Sequence, residues 1–305
     1  MIRIAHVSDL HVLSRTGTRW RQIVFNKRMT GYANTLLHRG RVHRREFLLT
    51  VLSAAAASAE LMVVTGDITN LALEHEYQQA AALLAEAARR TEVMVVPGNH
   101  DLYLPSLARE GRFAHHFQAH LGSDLPQLAC EVPAGRFPTV RLRGPLAIIG
   151  LSSAVPRPPF VSAGRVGKLQ LHALRAVLAH PELRTRRPVI LVHHPPIDHR
   201  PCIERLRDGL VDAGALRNEL APLPDCVALF GHIHLRVSRE LQTPAGRLRA
   251  ISASGAALDH PDPMVRAGFN LYRFEDDGRL SSAEAHVLDG PGTGFQVLPI
   301  PEEKP

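Results

Sequence analysis

The stretch EVMVVPGNHD, residues 92–101, decides the fold because an apolar run ends abruptly in a polar loop. The run Glu92–Val96 is short and rich in β-branched residues, which predicts a strand. A proline and a glycine end that strand, and Asn99, His100 and Asp101 follow directly. We expect these polar side chains to lie at the carboxyl end of a buried strand, where α/β folds collect their ligand sites.

Four other predicted strands end in the same way. The strands are Ile2–Ser8, Leu61–Thr65, Pro188–Val192 and Cys226–Phe230. In that order they run into Asp9-Leu10-His11, Gly66-Asp67, His193-His194 and Gly231-His232-Ile233-His234. Because the carboxyl ends of neighbouring strands meet at one edge of a sheet, we expect the five loops to form one site.

The side chains in these loops are types that bind metal ions. Asp9 and His11 are two residues apart, as are His232 and His234, and in an extended chain this spacing places both side chains on one face. Carboxylate oxygens and imidazole nitrogens without thiolates suit Mn, Fe, Zn, Co or Ni. Asp67 offers two oxygens that could bridge two ions. The loops therefore predict a metal site.

Each motif also has a plainer interpretation. Asp-x-His and Gly-Asp are common in turns, and His193-His194 could be a packed pair. Asn99, by contrast, supplies a neutral carbonyl oxygen, which binds a metal ion without repelling a phosphate. The occurrence of all five motifs at strand ends favours the metal site over five unrelated turns.

Helical and strand patterns alternate in the first half of the chain, and strands dominate the second half. Arg44–Ser58 and Leu73–Arg89 have helical spacing and separate the first three strands. This order predicts an α/β fold with mixed sheets. We expect one domain over residues 1–298 and a flexible tail at 299–305.

Composition indicates an ordinary globular protein of a reducing compartment. Hydrophobic residues make up 45% of the chain and charged residues 21%, and no apolar run approaches the length that spans a bilayer. The cysteines, Cys130, Cys202 and Cys226, lie far apart and form no CxxC pair, which argues against a disulfide framework. No signal peptide is visible after Met1, so we predict a cytoplasmic protein.

The five loops together resemble the signature of the calcineurin-like metallophosphoesterases. The matching blocks, Asp9-x-His11, Gly66-Asp67, Gly98-Asn99-His100-Asp101, His193 and Gly231-His232-Ile233-His234, span residues 9–234. The resemblance implies two stacked mixed β-sheets, a β-sandwich, flanked by helices. It places one metal ion on Asp9, His11, Asp67 and His234, and a second on Asp67, Asn99, His193 and His232. His193 is preferred to His194 because the family pattern is His-x-Pro.

The resemblance also implies a mechanism. Two ions, with Mn, Fe or Zn expected, orient the phosphate oxygens, and a hydroxide that bridges them attacks phosphorus in line. His100 matches the family histidine that contacts the phosphate and can protonate the leaving oxygen, with Asp101 orienting it. The protein is thus expected to be a metal-dependent phosphoric ester hydrolase.

Shorter motifs suggest a phosphodiester substrate. Gly66–Asn70, Glu76-Tyr77 and Gly268–Tyr272 are similar to the branch that contains bacterial cyclic-nucleotide and glycerophosphodiester phosphodiesterases. A phosphomonoester or a lipid-linked pyrophosphate remains an alternative within the same fold. A catalytically silent scaffold is the alternative from another class, but such proteins usually lose ligands, and every block is complete here.

A basic insertion at about residues 15–45 departs from a minimal member of that branch. Residues 10–45 contain nine Lys or Arg and no Asp or Glu, whereas the whole chain has a net charge of +7. The insertion could be an amphipathic helix packed on the domain, a lid that attracts an anionic substrate, or a contact with an anionic membrane surface. Few aromatic residues accompany the charges, so nucleic acid is not expected to be the partner. Oligomeric state is left open.

Overall fold

The computed structural model describes residues 1–13, 43–290 and 294–303 of the chain. The strands in these ranges are β1 (Ile2–Val7), β2 (Leu61–Val64), β3 (Glu92–Val95), β4 (Cys130–Val132), β5 (Gly135–Phe137), β6 (Thr139–Arg143), β7 (Leu146–Gly150), β8 (Arg187–Leu191), β9 (Cys226–Phe230), β10 (Ser238–Thr243), β11 (Gly246–Ser252), β12 (Gly268–Phe274), β13 (Leu280–Leu288), β14 (Phe295–Pro299) and β15 (Glu302–Glu303). The α-helices are α1 (Arg45–Ser58), α2 (Glu74–Ala87), α3 (Pro105–Arg109), α4 (Arg112–Phe117), α5 (Lys168–Leu178), α6 (Cys202–Asp208) and α7 (Ala213–Leu220).

The strands form two large mixed sheets and a hairpin of β4 and β5. The first sheet has the order β14-β13-β12-β1-β2-β3, and the second has the order β15-β10-β11-β9-β8-β7-β6. Strands β1, β2 and β3 are parallel to one another, as are β7, β8, β9 and β11. In the first sheet the parallel strands form one half and end at the edge strand β3, and antiparallel strands form the other half. In the second sheet the parallel strands form the centre, with antiparallel β6 and β10 on either side and β15 parallel to β10 at one edge. This architecture confirms the predicted α/β fold.

Successive side chains of a strand point to opposite faces of its sheet, so the strands contribute both to the core between the two sheets and to the core beneath the outer helices. Ile148 of β7 packs in a cluster shared with the first sheet, whereas its neighbours Ala147 and Ile149 pack in a second cluster with α5 and α7. Strand β7 is thus buried on both faces, as expected of a parallel strand covered by helices. Helix α1 buries Phe47 and Val51 against the other sheet. The result is a sandwich with helices on its outer faces.

Two predicted boundaries differ from the structure. The sequence after Asp101 predicts a loop that leads into one helix near Leu107–Leu121. The structure instead has α3 and α4 there, because Gly111 between them takes a left-handed conformation with φ of 61°. The flexible tail predicted at 299–305 is wrong for residues 299–303. Glu302 and Glu303 pair in parallel with Ser238 and Arg239 of β10, and the Arg239 guanidinium donates to Glu303 at 2.9 Å.

The basic insertion predicted at 15–45 lies outside the described residues, apart from residues 43–45. Its three interpretations therefore stay predictions. At the edge of the described range, His43 forms a bridge with Leu258, and α1 begins at Arg45. Within the residues that the structure covers, no helix is both long and apolar enough to cross a bilayer.

Candidate metal centre

The loops after β1 and β2 run side by side at one edge of the first sheet. The Asp9 amide donates to the carbonyl of Gly66 at 3.0 Å, and the His11 amide donates to the carbonyl of Asp67 at 2.9 Å. The second sheet joins them through the loop after β9, because the His232 amide donates to Asp9 Oδ2 at 3.0 Å. The predicted site therefore lies where the two sheets meet.

The backbone of these loops is strained. Among the described residues, eight non-glycine residues have φ between 42° and 70°, and five of them are predicted metal-site residues: Asp9, His11, Asp67, His232 and His234. Each such conformation costs on the order of 1–3 kcal/mol and persists only where the surrounding fold holds it. The prediction that an extended chain places the paired side chains on one face is thus wrong. The paired side chains instead approach each other because their residues take left-handed conformations.

The first group of side chains is Asp9, His11 and His234. Oδ1 of Asp9 lies 3.1 Å from Nε2 of His234 and 3.9 Å from Nε2 of His11. The two imidazole Nε2 atoms are 3.2 Å apart. Both Asp9 and His11 are buried. Three donor atoms on loops far apart in sequence therefore converge on one point.

The second group is Asn99, His193 and His232. Oδ1 of Asn99 lies 3.1 Å from Nε2 of His193 and 3.1 Å from Nδ1 of His232, and these two nitrogens are 3.3 Å apart. The amide oxygen and two ring nitrogens thus face one another in the same manner as the first group.

Asp67 lies between the groups. Its Oδ2 is 3.4 Å from Nε2 of His193 and 3.9 Å from Nε2 of His11, one residue from each group. Its Oδ1 accepts a hydrogen bond from the His100 amide at 2.7 Å. The carboxylate therefore presents a single oxygen to both groups, and the other oxygen anchors the loop that carries Asn99.

These donors fit metal ions better than they fit one another. Asp9 Oδ1 is buried, and among the described residues no donor makes a hydrogen bond of normal geometry to it. Burial of a carboxylate oxygen without such a bond is energetically costly. Ring nitrogens that face each other at 3.2 and 3.3 Å can be satisfied only in part by a shared proton. A cation held by each group would satisfy all of these lone pairs, and oxygen–imidazole ligand sets suit Mn, Fe or Zn.

Backbone carbonyls orient the histidine rings. His193 donates from Nδ1 to the Thr65 carbonyl at 2.7 Å, and His232 donates from Nε2 to the Asp208 carbonyl at 2.6 Å. In the neutral ring, each bond leaves the opposite nitrogen, the one that faces Asn99, as the acceptor. Second contacts of this kind are usual behind metal-binding histidines.

His194 is placed differently from His193. Its Nε2 donates to the Ser162 carbonyl at 2.8 Å, and its Nδ1 accepts from the Ser153 hydroxyl at 2.8 Å. Although His194 lies close enough to group with His193 and His232, both of its nitrogens are engaged elsewhere. The geometry therefore favours His193 as the ligand.

Comparison with known proteins agrees with this arrangement. A family model described as calcineurin-like phosphoesterase matches residues 2–236. The chain belongs to the calcineurin-like phosphoesterase family. It is accordingly a metal-dependent phosphoester hydrolase, for which the family implies two metal ions and phosphate-ester substrates. A search of curated proteins gives no match.

Two solved structures have the same fold as this phosphoesterase. A dimetal phosphatase from Danio rerio is 15% identical over 98% of this chain and 99% of its own, with a TM-score of 0.59. The purple acid phosphatase PPD1 from yellow lupin seeds is 12% identical over 92% of this chain and 53% of its own, with a TM-score of 0.56. At these identities the likeness shows the fold alone.

The pKa values of the buried groups in the phosphoesterase site favour positive charge there. Burial raises the pKa of Asp67, but the imidazoles of His193 and His100 lower it by more and hold it well below its ordinary range. Burial lowers the pKa of His193, yet Asp67 and Asp9 raise it to about 9. Burial and the charge of His193 lower the pKa of His232 to about 4. A proton on His193 thus stands where a cation would be held.

His100 and Asp101 have separate positions beside the groups. His100 donates from Nδ1 to the Asn70 carbonyl at 2.5 Å, which leaves Nε2 at 4.0 Å from Asp67 Oδ2. The Asp101 carboxylate accepts hydrogen bonds from the peptide N–H groups of Gly98, Ile68 and Thr69 at 2.9, 3.2 and 2.8 Å. Burial, with a further contribution from Asp67, raises the pKa of Asp101 to about 7.

Several residues of the site were not found from the sequence. The carbonyls of Thr65 and Asp208 have no sequence signal, because any residue supplies one. Ser153, which holds His194, lies in no motif. His43 also escaped notice, although its ring stands edge-on to His11 with centroids 5.2 Å apart. The basic insertion separates it from the first loop in sequence, so no local pattern indicates that the two are close in space.

Proposed function

We propose that this phosphoesterase is a dinuclear-metal phosphodiesterase. The observation that carries the proposal is that two groups of donor atoms share one oxygen, Oδ2 of Asp67. A carboxylate that faces both groups of donors would let Asp67 be a ligand to an ion in each. A phosphomonoesterase or a lipid-linked pyrophosphatase of the same fold is the alternative.

We assign the ligands by group. Asp9, His11 and His234 with Asp67 would hold one ion, and Asn99, His193 and His232 with Asp67 would hold the other. The first group contains the buried Asp9 carboxylate, and the second contains the neutral Asn99, so the second ion keeps more of its positive charge. Mn, Fe or Zn would suit either group.

The two ions, when bound, neutralise phosphate oxygens and lower the pKa of a water that serves as the nucleophile. The chain supplies the proton for the leaving oxygen. Nδ1 of His100 keeps its hydrogen on the Asn70 carbonyl, so the protonated ring donates from Nε2. Asp101 is a positioning residue in this proposal, since its carboxylate clamps the peptide groups on both sides of the site.

The motifs that suggest a diester support the loop that carries His100. Asn70 orients the His100 ring, and the Tyr77 hydroxyl donates to the Asp101 carbonyl. The Glu76 carboxylate accepts from the amides of Leu71 and of Leu73, at 2.7 and 3.2 Å, and so shapes the segment between Asn70 and α2. The side chains of Glu76 and Tyr77 thus stabilise the segment around His100, whereas Asn70 contributes a backbone carbonyl that any residue could supply. The two side-chain contacts support the branch as a proposal.

The test compares esters on protein loaded with Mn²⁺. We expect turnover of bis-p-nitrophenyl phosphate to exceed that of p-nitrophenyl phosphate, and turnover of a glycerophosphodiester to depend on His100. Since proton transfer contributes about 10²–10⁴-fold, His100→Ala should lower turnover of the alkyl diester by that range and affect the p-nitrophenyl ester less. His172→Ala, on the exposed face of α5, is the matched control.

Three outcomes would overturn these assignments. Faster turnover of the monoester than of both diesters would favour the phosphomonoesterase. Absence of turnover on every ester, with Mn²⁺ bound in a ratio of two per chain, would favour a silent scaffold. Equal effects of His100→Ala on both diesters would remove the proton-donor role.

We also propose a cytoplasmic location, on the three scattered cysteines, which form no disulfide.

A further inference from the structure

Three large apolar side chains are exposed beside the metal centre. The exposed fraction is 82% for Phe160, 80% for Ile203 and 56% for Leu206. Residues of this kind are usually buried, and single exposed ones need no explanation, but a group of them indicates an interaction surface. We call Phe160, Ile203 and Leu206 the apolar rim.

Backbone hydrogen bonds bring the members of the apolar rim to one region. The amides of Ser162 and Ala163, just after Phe160, both donate to the carbonyl of Arg207 at 3.0 Å. Arg207 follows Leu206 directly, and Ile203 is three residues before Leu206, on the same side of α6. The rim therefore belongs to one loop and one helix that are tied together.

The same loop and helix contact histidines of the site. The Ser162 carbonyl accepts from Nε2 of His194, and the Asp208 carbonyl accepts from Nε2 of His232. Phe160 is two residues from Ser162, and Leu206 is two residues from Asp208. The apolar rim thus lies on the elements that border the metal centre, and none of its side chains is a predicted ligand.

Phe160 combines two unfavourable features. Its φ of 64° is in the left-handed region, which is a rare conformation for a bulky residue. Its ring is also almost fully exposed, so that no packing within the described chain offsets the strain. Backbone strain that no contact within the described chain offsets indicates that the Phe160 side chain contacts another molecule.

Positive charge accompanies the rim. Residues 155–169, which are a loop and the first two residues of α5, contain Arg157, Arg165 and Lys168 and no acidic residue. On α6, Arg205 and Arg207 stand beside Glu204 and Asp208. The Asp208 carboxylate is 2.9 Å from Arg200 and 3.6 Å from Arg207, so its charge is compensated.

We propose that the apolar rim docks the protein on an anionic lipid surface. Side chains that protrude this far cannot enclose an acyl chain, but they can enter the boundary between headgroups and acyl chains. Arginine and lysine beside them would contact lipid phosphates, each contributing to attraction toward an anionic leaflet. The docking proposal is independent of the ester that the enzyme hydrolyses.

The experiment measures partition of the full chain, loaded with Mn²⁺, onto sedimenting vesicles. One set contains phosphatidylcholine alone, and the other contains an equal mixture with phosphatidylglycerol. We expect the wild type to bind the mixed vesicles more strongly. Because burial of a large apolar side chain changes a partition equilibrium by about tenfold or more, Phe160→Gly with Ile203→Ser should lower binding at least tenfold. Val297→Ser, exposed by 53% on β14, is the matched control.

The variants separate docking from folding. Phe160→Gly alone removes the ring and relieves the left-handed backbone, so its thermal midpoint should be no lower than that of the wild type. Turnover of bis-p-nitrophenyl phosphate in solution should be the same in all variants. The basic insertion at 15–45 is unchanged throughout, so any vesicle binding that it causes persists in every variant.

Four results would overturn the proposal. They are absence of wild-type binding to mixed vesicles, equal binding to both vesicle types, unchanged binding of the double variant, and equal losses in the double variant and Val297→Ser. A dimer in sedimentation velocity that the double variant dissociates, without vesicle binding by the wild type, would instead assign the rim to a second copy of the chain.

Discussion

His6 should make the fold sensitive to acid. It is fully buried in β1, with Nε2 at 2.8 Å from the Thr65 hydroxyl and Nδ1 at 3.2 Å from the Tyr272 hydroxyl. Burial lowers the pKa of His6 from 6.5 to about 3, although the charge of Asp9 acts in the opposite direction. The folded chain therefore holds a neutral imidazole where the unfolded chain takes up a proton.

The sign and size of the effect follow from these two pKa values. Between pH 6.5 and 3 the unfolded state binds more protons at His6, so stability is complete above pH 6.5 and falls as the pH falls. Each pH unit in this window changes the free energy of unfolding by about 1.4 kcal/mol. From pH 7 to pH 5, His6 should account for a loss of about 2 kcal/mol.

Urea unfolding at pH 7 and pH 5 measures this loss. His6→Gln removes the titrating group but keeps a donor and an acceptor for Thr65 and Tyr272. We expect the wild type to lose about 2 kcal/mol more than His6→Gln between the two pH values, whatever the variant's own stability at pH 7. His172→Gln, at an exposed position, should behave as the wild type does. An equal pH dependence in His6→Gln and the wild type would refute the reasoning.

Three further predictions concern packing, thiols and metal. Gly231→Ala should lower Mn²⁺-dependent turnover at least tenfold, because a methyl group there would clash with the Ser8 side chain and the Asp9 carboxylate, whereas in Gly214→Ala of α7 it would meet only the Arg217 side chain at 4.0 Å and should leave turnover unchanged. A thiol reagent should label exposed Cys202 in the native protein and reach Cys226, where burial raises the pKa to about 12, only after unfolding; native labelling of Cys226 would contradict this. Adding Mn²⁺ to chelated protein should raise the thermal midpoint, by the equivalent of about 2.7 kcal/mol at a hundred times Kd, and no shift would argue against a metal centre in the folded chain.

The strands and the loops that follow them could be predicted from local sequence. An apolar run such as Met94–Val96 has few alternatives to a buried strand, and Pro97 and Gly98 end it wherever the rest of the chain lies. The strands predicted before Gly66 and before Gly231 are found for the same reason. The α/β class follows from their order along the chain.

Local sequence was less informative where backbone geometry depends on distant partners. Asp9 and His11 take left-handed conformations rather than the extended one that their spacing assumed, and hydrogen bonds from their backbone amides to the carbonyls of Gly66 and Asp67 hold them there. Residues 302–303 form a strand because the edge of β10 is available to them, which no local pattern indicates.

By itself the sequence determined which side chains end the strands, and so the chemical character of the site: carboxylates, one amide and imidazoles. Only the tertiary structure decided how those side chains face one another. The direction of His193 toward Asn99, and of His194 toward Ser153 and Ser162, depends on carbonyls and hydroxyls contributed by distant segments. The family pattern His-x-Pro favoured His193, but the physical difference between the two adjacent histidines lies in their hydrogen-bond partners. Those partners come together only when the two sheets have packed.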